Sequence, residues 1–460
     1  MARLDSFANE LLCHIFSFLQ PFDLVSPMRV NKLFHGLIEP MIWTKLELHG
    51  PGYHEYYQYP EELVDSESLQ KRNYLATGTD YNPDPNEREY SDLTGRFLRV
   101  FNESEEGVSP VRRMALAEHV RFLCADLTYD DEDDTDPWGI IAGFSNLEHL
   151  ELTVPWAWGD TFDTALEAFA SKEHRPLAKL RTIRLRGYVP KEFVQFVCQG
   201  AAGITDLELA ALDRPIGSNN HAGKRVNPPP GTKTKVDSDD EDSASDGESE
   251  DDDAEDFDEE AIAPRGLPAL LDKIDLIGQF SSLTRLSLAR PTQSAEDADY
   301  RDEYVSVKSD LAILQEWAAL IRATRGMLEH LILEQRPFAE EIEQDSTGDR
   351  EFLVFYPYGP GYDRFVEHTL PALLEEGAEW PRLKSVRLYG FDVPAEYYSD
   401  DSDQTPEPQR LLAILEARFK PRGVEVRSGL GRRMIYEDDD GTIRSGGDGF
   451  GGIRFELEDD

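Results

Sequence analysis

Apolar residues recur along this chain in one short pattern: an apolar residue, two spacers, an apolar residue, one spacer and a third apolar residue. The last two positions of each copy are two apart, so they point to the same side of a β-strand. Amphipathic stretches such as 311–323 lie between the copies and have helical spacing. The pattern therefore predicts strands that alternate with helices. The copies end at Leu48, Ala125, Leu152, Leu185, Leu209, Leu288, Leu333 and Leu388.

The spacing of the copies predicts the architecture. From Val120 to Ile204 they begin 24 to 33 residues apart, which is typical of a leucine-rich repeat, a solenoid with parallel strands inside its curve and helices outside. The alternative is an ordinary α/β domain whose strands share a sequence pattern. Later intervals of 79, 45 and 55 residues indicate large insertions.

The N-terminal residues predict three short helices. Leu11, Ile15 and Leu19 form an apolar stripe on a first helix that should end at Pro21, and a second helix is expected over 23–30. A third helix should begin at Asn31 and close at Trp43. Its inward residues would be Leu33, Phe34, Leu37 and Met41. So small a bundle cannot bury all these side chains, so a partner or the rest of the chain must cover one face.

Residues 7–43 resemble an F-box, the helical module by which substrate receptors attach to the Skp-family adaptor of cullin-RING ubiquitin ligases. The resemblance rests on Glu10-Leu11-Leu12, Ile15, Leu19, Asp23-Leu24, Val30-Asn31-Lys32, Phe34 and Trp43. It implies adaptor contact by Leu11, Leu12, Ile15, Leu19, Leu24, Val30, Phe34 and Trp43, several of which must also hold the three helices together.

The resemblance has two departures. The family usually has Leu-Pro where this chain has Phe7-Ala8, so we expect reduced adaptor affinity. The repeats resemble the irregular leucine-rich arrays that follow F-boxes in many receptors, as in F-box domain-containing proteins of filamentous fungi. However, the usual Asn three places after the final Leu is absent, and residues such as Tyr188 and Phe391 occupy that position. We therefore expect uneven curvature and poorly regular coils.

Together these patterns predict an α/β protein: an N-terminal three-helix F-box followed by an irregular leucine-rich-repeat solenoid with long disordered insertions. In the tail, Asp440-Gly441 predicts a hairpin that pairs 434–437 with 442–444. The expected divisions are an F-box-like helical module (1–48), a connecting insertion (49–119), a first repeat part (120–212), a disordered acidic insertion (213–265), a second repeat part (266–427) and a flexible Gly/acidic tail (428–460).

Acidic residues dominate the charge. The chain has 91 Asp and Glu against 47 Lys and Arg, a formal net charge of −44, which disfavours nucleic acid and membrane surfaces and favours basic proteins as partners. Residues 236–260 contain 16 carboxylates and should be disordered. They could act as a solvating spacer or as a segment that attracts basic partners. Four serines there have an acidic residue three places later, as an acid-directed kinase requires: Ser238, Ser243, Ser245 and Ser249.

The remaining chemistry points away from catalysis. The three cysteines have no metal or disulfide spacing, which favours a reducing compartment. Glu10 interrupts the apolar start, and no stretch reaches the ~18 apolar residues of a membrane span. We therefore expect a cytoplasmic or nuclear location, or both. Catalytic motifs such as Gly-x-Ser-x-Gly and His-Glu-x-x-His are missing, so we expect neither an enzyme nor a cofactor or metal site.

The leading hypothesis is the substrate-recognition subunit of a Skp–cullin–F-box ubiquitin ligase. The adaptor, and through it the cullin, would bind the F-box, while the repeats would hold an unknown protein substrate close to the ubiquitin-charged enzyme. Two alternatives stay open. One is a leucine-rich interaction scaffold without a ligase role, and the other is an acidic-tract binder of basic proteins such as histones.

Overall fold

Nine parallel strands form one sheet in the computed structural model, which describes residues 7–19, 21–49, 87–102, 108–127, 136–154, 169–212, 269–292, 307–337, 360–391, 409–429, 436–437 and 443–444. The strands follow one another across the sheet in chain order. They are β1 (Lys45–Leu48), β2 (Phe122–Asp126), β3 (His149–Thr153), β4 (Thr182–Tyr188), β5 (Asp206–Leu212), β6 (Arg285–Thr292), β7 (His330–Pro337), β8 (Ser385–Tyr389) and β9 (Glu425–Gly429).

Helices precede the sheet and occupy the connections between its strands. Among the described residues, the α-helices are α1 (Asn9–Phe16), α2 (Pro21–Met28), α3 (Lys32–Thr44), α4 (Glu87–Phe101), α5 (Pro110–Ala117), α6 (Pro137–Ala142), α7 (Lys191–Val197), α8 (Ile274–Ile277), α9 (Val307–Thr324), α10 (Pro360–His368), α11 (Leu370–Leu374) and α12 (Gln409–Phe419). Short 3-10 turns lie at Cys198–Gly203, Leu271–Lys273 and Lys420–Arg422. The predicted helix at 311–323 is confirmed as α9.

The eight predicted strands are confirmed, and all share one register. Leu150 of β3 pairs with Leu123 on one side and Ile183 on the other, and every neighbouring pair aligns the same position of the pattern. Two apolar rows therefore run across the strands and form, with the helices, a large hydrophobic core, called here the main core. Burying this continuous apolar surface is the chief stabilising force for the fold.

A second ladder of hydrogen bonds lies just before the strands. The amide of Arg121 donates to the carbonyl of Thr44 (3.0 Å), and the amide of Glu148 donates to the carbonyl of Arg121 (2.7 Å). The same step recurs up to β9, where Glu425 donates to Lys384 (2.9 Å). Backbone groups therefore keep the pairing of the strands regular without an asparagine side chain, while uneven curvature and poorly regular coils stay a prediction.

The sequence pattern does not predict the ninth strand. In β9 only Val426 keeps an apolar residue of the pattern, whereas Gly423 and Ser428 occupy the other two positions. Gly423 has φ of 76°, a conformation that glycine adopts without strain, and it turns the chain from a 3-10 turn into the strand. Val424, 3 % exposed, joins the main core instead.

Two predicted segments contain further structure. The predicted connecting insertion 49–119 includes α4 and α5, and Phe97 and Phe101 of α4 belong to the main core. In the tail, the hairpin is confirmed, since Tyr436 and Glu437 pair antiparallel with Arg444 and Ile443. Its turn at 438–442 lies outside the described residues, as does the acidic insertion 213–265.

The face of the sheet opposite the apolar rows carries a ladder of opposite charges over β3, β4 and β5. Arg186 donates to Glu208 and to Glu151, each at 2.7 Å, and Arg184 donates to Asp206 at 3.1 Å. Burial opposes the charged form of Arg184, but Asp206, Glu151 and Glu208 outweigh it and raise its pKa above the ordinary value. Arg285 adds a third cation, with its Nε 3.8 Å from Asp206 Oδ1, so the charges balance and the ladder locks neighbouring strands together.

Replacing Arg186 by Met tests this ladder. The substitution removes the closer of the two cations that the buried carboxylates of Glu151 and Glu208 share, so we expect the free energy of unfolding to fall by about 3–5 kcal/mol. Lys191→Ala is the control, because the Lys191–Asp272 pair is largely solvated and its loss should cost less than about 1 kcal/mol. Urea denaturation measures both, and equal costs would contradict the role given to the ladder.

Candidate functional site

The helices α1, α2 and α3, residues 9–44, form a separate unit called here the N-terminal module. The Asn31 side chain caps α3 by accepting a hydrogen bond from the Phe34 amide at 2.8 Å, which fixes where this helix begins. Ala8 precedes α1 and gives no side-chain cap. Its φ of −61° is a value that proline also adopts, so the family's proline would fit this position.

The first two helices begin and end elsewhere than predicted. The first ends at Phe16 and not at Pro21, because Pro21 begins the second helix, where a missing amide hydrogen costs nothing. The second helix consequently runs from Pro21 to Met28, earlier than the predicted 23–30. The predicted start of the third helix at Asn31 is confirmed as its cap.

The module has its own small core, distinct from the main core. Its buried members are Leu12, Phe16, Leu24, Phe34 and Ile38. The rings of Phe16 and Phe34 meet edge to face at 5.3 Å between centroids, a favoured aromatic geometry. Three of the predicted adaptor-binding residues therefore hold the helices together: Leu12, Leu24 and Phe34.

Four other predicted adaptor-binding residues lie on the outside. Leu11 and Ile15 are one helical turn apart on α1, with 44 % and 36 % of their surface exposed, while Leu19 and Val30 are 36 % and 68 % exposed. Leu33 is 38 % exposed, so its predicted inward position is wrong. Its neighbour Phe34, also predicted inward, is buried in the module core. The module thus presents an apolar surface that its own fold does not cover.

The eighth predicted residue, Trp43, connects the module to the rest of the protein. Its ring lies 6.1 Å from that of Phe97 and 5.7 Å from that of Phe101, centroid to centroid. It packs against the main core and not against α1 or α2. The structure therefore gives Trp43 an anchoring position between α3 and α4.

An ion pair is a second contact, besides Trp43, that joins the module to the rest of the protein. Arg112 of α5 makes a paired interaction with the carboxylate of Glu39 on α3, and its Nη1 donates to Oε2 at 2.7 Å. The Glu39 side chain is only 11 % exposed. A paired guanidinium–carboxylate contact fixes orientation as well as distance. Residue spacing gave no sign of this pair, since 73 residues separate its members.

Other candidate chemistry gives no site in the described residues. Burial, together with the nearby Glu316 carboxylate, raises the pKa of the Cys198 thiol, so this cysteine is a core residue and a poor nucleophile. The described part of the chain brings no three His, Cys, Asp or Glu residues together as metal ligands, and none of its helices is long and apolar enough to cross a membrane. The candidate phosphorylation sites Ser238, Ser243, Ser245 and Ser249 fall outside it.

Comparison with known proteins identifies the module. The family profile described as F-box-like matches residues 9–49. This chain carries an F-box-like domain. The match covers α1, α2, α3 and β1, so the domain extends into the first strand of the sheet. No curated protein matches the chain. F-box domains typically bind Skp-family adaptors, and the uncovered apolar surface of the module is suited to such a contact.

Truncating Phe34 tests which side chains stabilise the F-box-like domain and which only form its surface. Phe34→Ala removes a ring from a five-residue core, so we expect a loss of about 3–5 kcal/mol, enough to unfold the module while the main core persists. Leu11→Ala, at an exposed position of α1, should change stability by less than about 0.5 kcal/mol. Amide hydrogen exchange of residues 9–44 measures both effects. Full protection of these amides in the Phe34 variant would contradict the assignment.

Proposed function

We propose that this protein is the substrate-recognition subunit of a Skp–cullin–F-box ubiquitin ligase. The F-box-like domain binds the Skp-family adaptor and through it the cullin, and the sheet with its helices holds a protein substrate. The chain contributes proximity and no catalytic group, because holding a substrate lysine near the charged enzyme raises its effective concentration. The observation that carries this proposal is the F-box-like match at 9–49, whose helices leave Leu11, Ile15, Leu19 and Val30 exposed.

The part of the chain that follows the domain is, in this proposal, a degenerate leucine-rich-repeat solenoid of the kind found behind F-boxes. Its support is the strict chain order of nine parallel strands and their constant register, since stacked repeats contact only their neighbours. The cytoplasm, the nucleus or both are the proposed location. Cys13, Cys124 and Cys198 form no disulfide in the described residues, which suits a reducing compartment.

Adaptor binding tests the proposal directly. In the full-length chain, Leu11→Asp with Ile15→Asp puts two charges on the exposed side of α1 and leaves the module core intact. We expect affinity for a purified Skp-family adaptor to fall by at least about a hundredfold, because the carboxylates would have to be buried against apolar surface. Isothermal titration calorimetry measures the affinity.

The matched control changes two exposed apolar residues outside the module. Ile274→Asp with Val366→Asp alters side chains that are 69 % and 36 % exposed on α8 and α10, and it should bind the adaptor like the wild type. If the wild-type chain binds no adaptor, the ligase proposal fails and an interaction scaffold without a ligase role takes its place. If both double variants bind equally well, the assigned surface is wrong.

A second candidate, a binder of basic proteins such as histones, is favoured by where the acidic residues are attached. Parallel strands end at the same edge of a sheet, and the connections that leave β1, β2, β3, β5, β6, β7 and β8 each contain residues outside the described part. Those residues include 52 of the 91 acidic side chains and 10 of the 47 basic ones. Most of the acidic excess is therefore tethered to one edge.

Deleting residues 236–260 tests the second candidate. Histone binding to the wild-type chain should weaken with rising salt, because contacts between exposed charges are screened. The deletion removes 16 carboxylates, so we expect weaker histone binding at low salt and unchanged adaptor binding. Fluorescence anisotropy at two salt concentrations measures this. Histone affinity that is independent of salt and of the deletion would rule the candidate out.

A further inference from the structure

The exposed apolar side chains of the described residues concentrate at one end of the molecule. Twelve large hydrophobic residues are exposed in this part of the chain, and eight of them lie between Phe7 and Leu33. Two more, Val111 and Met114, are on α5, with 74 % and 60 % of their surface exposed. Helix α5 follows the matched domain by more than sixty residues in sequence, so the match does not account for this pair.

Helix α5 is nonetheless held against the N-terminal module. The Arg112 guanidinium pairs with Glu39 of α3 through both carboxylate oxygens. One turn later, Leu116 is 4 % exposed and belongs to the main core. The helix begins at a defined place, because the Ser109 side chain accepts a hydrogen bond from the Arg112 amide at 3.2 Å. The position of α5 beside the module is therefore fixed by contacts at its first and second turns.

The outward pair on α5 has no part in these contacts. Val111 and Met114 are three residues apart, so they share one helical face, while Arg112 and Leu116 share another. The face with Arg112 and Leu116 makes the contacts that stabilise the fold. A lone exposed apolar residue is ordinary, but an exposed apolar pair on a helix held against a module with exposed apolar residues of its own is the pattern of a docking site.

Charge favours the same conclusion. Residues 9–49 contain four acidic and three basic side chains, in a chain whose net charge is −44. Arg112 and Arg113 add two positive charges beside them. The module and α5 are thus close to neutral, so the field that repels anions elsewhere does not oppose an apolar contact here.

We propose that Val111 and Met114 of α5 extend the adaptor-binding surface of the F-box-like domain, so that the Skp-family adaptor contacts both. This inference rests on the proposed function. The continuity of α5 with the module through Glu39 and Arg112 selects this occupant over an unrelated partner. The interface then consists of two segments, and the second segment sets the orientation of the adaptor relative to the sheet.

The test is a variant with Val111→Gln and Met114→Gln in the full-length chain, titrated with purified adaptor by calorimetry. We expect the Kd to rise about tenfold or more, because each substitution puts an amide that needs hydrogen bonds where an apolar anchor is buried in the contact. The matched control, Ile274→Gln with Val366→Gln, should keep the wild-type Kd. Thermal denaturation of both variants should match the wild type, since all four side chains are exposed.

The outcomes separate this inference from the proposed function. If the wild type binds, the Leu11→Asp and Ile15→Asp variant does not, and the α5 variant keeps wild-type affinity, the α5 inference is wrong while the proposed function stands. If the wild type binds no adaptor, both fail. If sedimentation shows that the wild type self-associates and the α5 variant does not, the pair joins two copies of this chain, and the inference is overturned.

Discussion

The shared register of the nine strands is the constraint on which the rest of the structure depends. Leu150, Ile183 and Leu207 stand side by side in successive strands, and each needs the neighbouring strand to exclude water from it. A single strand with its helix cannot bury both of its sides, so stability comes from stacking. The backbone hydrogen bonds before each strand repeat the same step. Long insertions are therefore tolerated between strands, because neither ladder depends on the length of the connection.

The shared register of the strands also fixes the position of the F-box-like domain. Helix α3 ends at Thr44 and β1 begins at Lys45, with no linker between them. The Thr44 carbonyl is the first acceptor of the backbone ladder that precedes the strands. Trp43 packs on α4 and Glu39 pairs with Arg112 of α5. The sheet therefore sets the direction in which the domain points, and in the proposed ligase a bound adaptor and a bound substrate would keep a defined separation.

Sequence patterns predicted what local periodicity determines. Eight strands were found because each keeps all three apolar positions, whereas β9 kept only Val426 and was missed. Leu33 was assigned to the core because apolarity alone cannot decide between adjacent positions on a short helix. The Glu39–Arg112 pair and the Trp43–Phe97 contact join residues far apart in sequence. Such contacts follow from the three-dimensional arrangement and leave no periodic signal.

The distribution of charge explains how so acidic a chain can keep an exposed apolar surface. Two apolar surfaces associate favourably only where the contact does not also bring like charges together. The contact must also not remove charged groups from water. On the sheet, Arg184, Arg186 and Arg285 balance the three ladder carboxylates of β3 and β5. In the F-box-like domain few charges are present at all. Most of the acidic excess is attached instead through connections that leave the strands, so the proposed apolar partner and the proposed basic partner would bind through different surfaces, and salt would act on only one of them.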